Sequence, residues 1–218
     1  FPYWWYKNSD GQKMFIVVRQ PRSGAKRKAC VQGSYDGIKK RYVKENLWAK
    51  IEDFKLPLLR LPELIKTELP ILITEGEGKC DKAQQLLPDY FTACYSMGGS
   101  SFGKTDFSVL KGRDVILWPD ADKNLNGTDS FESLSLVLKE EYGIEAKTVP
   151  TPTYQEIQSY FKGKFPKTSW DLGDEIPAQV NVRELLSKAE YKKVSSKILN
   201  IEYSDIRKYK DDFVYISQ

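Results

Sequence analysis

Residues 71–87, ILITEGEGKCDKAQQLL, decide how this chain folds. Ile71-Leu72-Ile73-Thr74 reads as a buried strand, Glu75-Gly76-Glu77-Gly78 as a glycine-bearing turn, and KCDKAQQLL as a helix. The same alternation continues downstream. Strand YFTACYS (90–96) leads through the loop MGGSSFGKTDFSVLKGR (97–113) to strand DVILW (114–118). An acidic turn, helix SFESLSLVLKEEYG (130–143) and strand EAKTVPT (145–151) follow. Strands that are apolar almost throughout, separated by helices, predict an α/β fold whose parallel sheet is covered on both faces.

Such sheets bind ligands beyond the carboxyl ends of their strands. Glu75 directly follows ILIT, and Asp120 follows VILW after one proline. Asp122 lies two residues further on, so in extended chain it points to the same side as Asp120. Nothing adjacent in sequence neutralises these acids, and like charges a few ångströms apart raise one another's pKa. The prediction is a divalent cation joining Glu75, Asp120 and Asp122. Their alternative reading, as turn residues and helix caps, leaves two acidic turns at one rim unexplained. A nearby lysine or arginine paired with them, leaving no room for an ion, would reduce the site to a binding role. Glu77 and Asp81 read either as further site acids or as charges favouring the dipole of the following helix. Asp171 and Asp174, in WDLGDE, read as a turn or as acids near the same rim. Gly98 and Gly99, with Ser100, Ser101 and Lys104, form either a plain loop or a backbone cradle for phosphate.

Composition narrows the chemistry. The chain has 218 residues, 40% of them hydrophobic, enough for a real core, and three cysteines without a CxxC pair. With no histidine at all, zinc fingers, His-based acid–base pairs and Ser-His or Cys-His triads are excluded, so no zinc is expected. Cysteine is expected as core filler in a reducing compartment. No run approaches the ~18 to 20 apolar residues of a membrane span, and the expectation is a soluble, cytoplasmic protein. The start at Phe1, without methionine, suggests a piece of something longer.

The net charge of +4 conceals a division. Residues 1–66 carry 15 Lys+Arg against 6 Asp+Glu, a balance of +9, leaving 19 against 24 in residues 67–218. The basic part interleaves Tyr3, Trp4, Trp5, Tyr35 and Tyr42 with Arg19, Arg22, Lys26, Arg27, Lys28, Lys39, Lys40 and Arg41. That mixture suits a phosphate backbone with bases to stack on. YWWYK and MFIVVR flank NSDGQK, whose Asp10-Gly11 signals a β-hairpin. A helix is expected after Pro62, and another over 181–199 with Asn181 as its cap. Residues 148–177 are too broken for a long helix, and DDFVYIS near the end is β-prone.

With ILITEGEGKCDKA and GRDVILWPDADKNLNG in place, their acids about 45 residues apart, the chain resembles the Toprim domain of DNA primases and topoisomerases. It is most similar to the primases of phages and mobile elements, through GGSSFGKTDFSVLKGRD, LPLLRLPELIK and WDLGDEIP. The core likeness covers roughly 67–150 and a looser one 3–186. The resemblance implies a Toprim-like parallel sheet flanked by helices (67–177), preceded by a small basic α+β subdomain that binds template (1–66) and followed by a partly helical tail (178–218). It implies Mg²⁺- or Mn²⁺-dependent joining of nucleoside triphosphates into RNA primers on single-stranded DNA, beside a helicase. By motif, Glu75 is the catalytic acid or a metal ligand, and Asp120 and Asp122 are the metal-binding pair. Phosphate or nucleic-acid contacts fall to Arg19, Lys26, Arg27, Lys28, Lys39, Lys40, Arg41, Lys79, Gly98, Gly99, Lys104 and Lys123. The chain departs from bacterial primases at Lys79, where they carry an acid, and in the late glycine, Gly127. A metal-dependent nuclease and a catalytically inactive binding module remain the alternatives.

Overall fold

A computed structural model describes residues 1–20, 30–36, 41–44, 47–96, 99–124 and 126–191. The chain opens with the expected hairpin. Strands β1 (Tyr3–Lys7) and β2 (Lys13–Arg19) pair antiparallel and continue through β3 (Cys30–Asp36) to β4 (Arg41–Val43) in sequential order. Period-two alternation sorts the aromatic residues. Tyr6 is fully buried and stacks on Phe15 at 4.5 Å, in a cluster with Val17, Leu56, Leu59, Cys80 and Cys94. Cys80 and Cys94 are buried free thiols, as expected of core filler.

After helix α1 (Leu61–Lys66) comes the alternating region: β5 (Ile71–Glu75), α2 (Glu77–Leu86), β6 (Phe91–Tyr95), β7 (Val115–Trp118), β8 (Ala121–Asp122), α3 (Asn126–Tyr142) and β9 (Ala146–Thr148). It is followed by α4 (Tyr154–Tyr160), β10 (Ser169–Trp170), α5 (Val182–Ser187) and β11 (Glu190–Tyr191). The main sheet has the order β11-β9-β7-β5-β6, parallel except for β11. Its central strands are buried on both sides, which explains their unbroken apolar sequence. On one face Ile71, Ile73, Val115 and Leu117 pack against Phe131, Leu134 and Leu138 of α3. On the other, Leu72, Ile116 and Trp118 meet Ala83 of α2, Leu87 beyond it and Leu186 of α5. The protein is thus mixed α/β, with a five-stranded, mostly parallel sheet between helices. No helix among the described residues is long and apolar enough to cross a membrane.

Two local expectations are corrected, and a short helix adds to a third. The helix expected over 181–199 ends at Ser187, although Asn181 does cap it by accepting from the Glu184 N–H. The chain instead pairs Glu190 and Tyr191 with Thr148 and Lys147, so a sheet-edge ladder replaces further helix; residues 192–218, including DDFVYIS, lie outside the described residues. Within 148–177, where no long helix was expected, residues 154–160 form the short α4, started by a reciprocal capping box between Thr153 and Glu156. The acidic turn after β7 is itself a strand, β8, paired antiparallel with β10.

Candidate functional site at the rim of the parallel sheet

Strands β5 and β7 are neighbours, with Thr74 opposite Trp118, so Glu75 and Asp120 both emerge at their carboxyl ends. Gly76 makes the turn into α2 with φ +86°, a conformation that favours glycine. That turn sets the first turn of α2, and with it Lys79, over the same rim. The β8–β10 pairing places Trp170 opposite Ala121 and delivers Asp171 there too.

A lysine, rather than open space, joins these acids. Lys79 Nζ donates to Asp120 Oδ2 and stands 3.6 Å from Asp171 Oδ2. The Asp120 side chain is only 9% exposed and that of Lys79 20%. Burial alone would lower the lysine's pKa, but the charges of Asp120, Asp171 and Glu75 outweigh it and hold the ammonium above its usual range. Burial pushes Asp120 the other way for an acid, up to about 7; Glu75 and Asp171 add to the rise and Lys79 opposes it. Glu75, Asp120, Asp171 and Lys79 therefore form one electrostatic unit.

As placed, these residues do not fit a divalent ion. Their hard oxygens suit Mg²⁺ or Mn²⁺, but Lys79 holds Asp120. Among the described residues no group of three or more Asp, Glu or Cys side chains is arranged to grip a metal. Asp122 sits in β8 opposite Ser169, partly exposed.

The other expected residues divide sharply. Glu77 and Asp81 turn away from the rim: Glu77 accepts from the Tyr6 hydroxyl at 2.9 Å, and Asp81 from Trp4 Nε1 at 2.6 Å and from Arg60. They tie α2 to the N-terminal sheet and to the segment before α1. Burial raises the Glu77 pKa. Arg19 points inward as well, its Nη1 2.9 Å from where a Cβ on Gly78 would stand. Asp174 is taken by Lys167 and by the Asp171 N–H, so of the WDLGDE acids only Asp171 joins the cluster. Lys104 and Lys123 are exposed. Gly99 opens a short 3₁₀ turn ending at Lys104, within which Ser101 Oγ donates to the Ser96 carbonyl. Arg41 begins β4. Lys26, Arg27, Lys28, Lys39, Lys40 and Gly98 lie outside the described residues.

Tyr95 was not among the predicted site residues. It pairs with Glu75 across β5 and β6, and burial, with the charges of Glu75 and Asp120, pushes its phenol far above the usual range. Directly below the rim, the Thr74 hydroxyl and the Trp118 indole N–H are buried and have no hydrogen-bond partner among the described residues. No protein-family model matches the chain, and no curated protein matches it.

One consequence is a pH dependence. Between about pH 4 and 7 the folded chain holds a proton on Asp120 that the unfolded chain has released, so this group's contribution to stability falls as pH rises through that window. The slope is on the order of 1 kcal/mol per pH unit. In chelator-containing buffer, the stability of Asp120→Asn relative to wild type should climb from pH 4 to 7, read from urea midpoints. A difference that stays flat contradicts the buried, acid-crowded placement of Asp120.

Proposed function

We propose that the chain is the Toprim-type module of a primase, joining nucleoside triphosphates into short RNA primers on single-stranded DNA beside a helicase. One observation carries the reading: Glu75, Asp120 and Asp171, from three separate segments, converge on a positive charge beyond the carboxyl ends of parallel strands. Carboxylates gathered from separate segments at one rim repel one another, which supports a site that works with a cation. This reading calls for Mg²⁺ or Mn²⁺, which would neutralise triphosphate charge; Glu75, Asp120 and Asp122 are the residues that would hold it, and the Lys79–Asp120 pair stands against it. The chain's own residues supply an anionic rim, a buried acid that takes up or releases a proton near neutrality, and an ammonium at the start of α2.

A second reading is favoured by the Lys79–Asp120 pair itself. With that pair permanent, the acids are structural and the chain is the nucleic-acid binding module of a primase–helicase. Primer synthesis with labelled nucleotides, a single-stranded template and Mg²⁺ or Mn²⁺ separates the readings. New oligonucleotides from the wild type, lost in both Asp120→Ala and Asp122→Ala, support the primase. Degraded template would point to a nuclease. Template binding without chemistry in any variant leaves the binding module.

A further inference from the structure

We propose that the outward face of the N-terminal sheet, built on Tyr3, Trp5 and the facing lysines Lys7 and Lys13, is a stacking platform for single-stranded nucleic acid. It deepens the template-handling part of the function proposed above and rests on it.

Alternation along β1 assigns the aromatic residues to two jobs. Trp4 and Tyr6 face inward, where they bond to Asp81 and Glu77 of α2. Tyr3 and Trp5 therefore face outward, with their cross-strand partners Val18 and Ile16 and, one strand further, Val31. Tyr3 is 61% exposed, and Trp5, Ile16, Val18 and Val31 are each partly exposed. A sheet surface of this kind, apolar and with aromatic residues two positions, about 7 Å, apart along one strand, offers successive stacking positions to any base.

The charges select the occupant. Lys7 and Lys13 stand directly opposite each other across the hairpin, and Lys13 Nζ lies 4.8 Å from the centre of the Trp5 ring. Like charges facing each other across strands destabilise a sheet, and a phosphate lying between them turns that repulsion into two attractions. In sequence, residues 1–66 carry 15 Lys+Arg against 6 Asp+Glu, which favours a polyanion over an apolar protein partner or a second copy of the chain. Rings that stack bases beside ammonium groups that take phosphates are the combination single strands require.

Fluorescence anisotropy with a labelled twelve-nucleotide oligothymidylate tests this. Tyr3→Ala, at an exposed ring whose loss leaves the core intact, should weaken binding about 5- to 100-fold. Lys7→Gln with Lys13→Gln should reduce the slope of log affinity against log salt by about 1.4, from two phosphates at about 0.7 each. Wild-type binding that survives both N-terminal changes with unaltered salt slope overturns the platform while leaving the template role standing. A wild type that binds no oligonucleotide at low salt overturns the template role itself. Dimers in sedimentation that Tyr3→Ala dissolves, in a chain that binds no strand, identify the face as a self-association surface and overturn the proposal.

Discussion

Replacing Lys79 with methionine should destabilise the protein by about 3–5 kcal/mol, because it removes one partner of a buried ion pair and keeps the stem of the side chain. The loss comes less from the missing bond than from what remains: Asp120, almost out of solvent, beside the charges of Asp171 and Glu75. The cost should therefore depend on pH. Without the ammonium that holds it down, Asp120 takes up a proton at a higher pH than in the wild type, so the variant recovers part of its stability toward acid pH and carries more of the penalty toward alkaline pH. Lys79→Arg, which keeps the charge, should lose less. Urea titrations at pH 5.5 and pH 8 read both effects. Equal stability of Lys79→Met and wild type at pH 8 would mean that the carboxylates do not converge on Lys79.

Trp170→Ala should cost a similar amount, about 3–5 kcal/mol, for a different reason. The indole is fully buried among Ala121, Ile157, Phe165 and Val180, and its N–H donates to the Glu175 carbonyl at 3.0 Å. It also anchors β10 against β8, the pairing that brings Asp171 to Lys79. Truncation thus opens a cavity and loosens one wall of the acidic site. A double-mutant cycle isolates the second effect: with Trp170→Ala present, Asp171→Asn should change the stability at pH 8 by less than it does in the wild-type background. Additive costs would show that Trp170 packs the core without positioning Asp171.

Most of the sheet was legible in the sequence, for a physical reason. A strand buried on both faces cannot carry polar residues at alternate positions, so Ile71–Thr74 and Val115–Trp118 announced themselves, and the acid ending each followed from the direction of parallel strands. The first hairpin was equally plain in Asp10-Gly11. Helix α4 was readable in principle, since Thr153 and Glu156 carry the spacing of a capping box, but the prolines before it and the short run concealed it. The β8–β10 pairing leaves no local trace, because two-residue strands are held by packing around Trp170 rather than by propensity.

The neutralising partner of Asp120 was missed because it lies 41 residues away in sequence. The signal was nevertheless present. A helix that starts at a strand's carboxyl end puts its first turn over the rim, and Lys79 is the third residue of that helix. Reading Glu77 and Asp81 as possible site acids failed for the complementary reason: α2 has two polar faces, and theirs meets the N-terminal sheet.

The gathered carboxylates should accept a positive charge other than Lys79. Crystals of the wild type and of Lys79→Met soaked in Mn²⁺ decide it. The predicted result is an anomalous peak bonded to Asp120 and to at least one of Glu75, Asp122 and Asp171, fuller in Lys79→Met than in the wild type. Clean density without an anomalous peak at Asp120 in either crystal would contradict it.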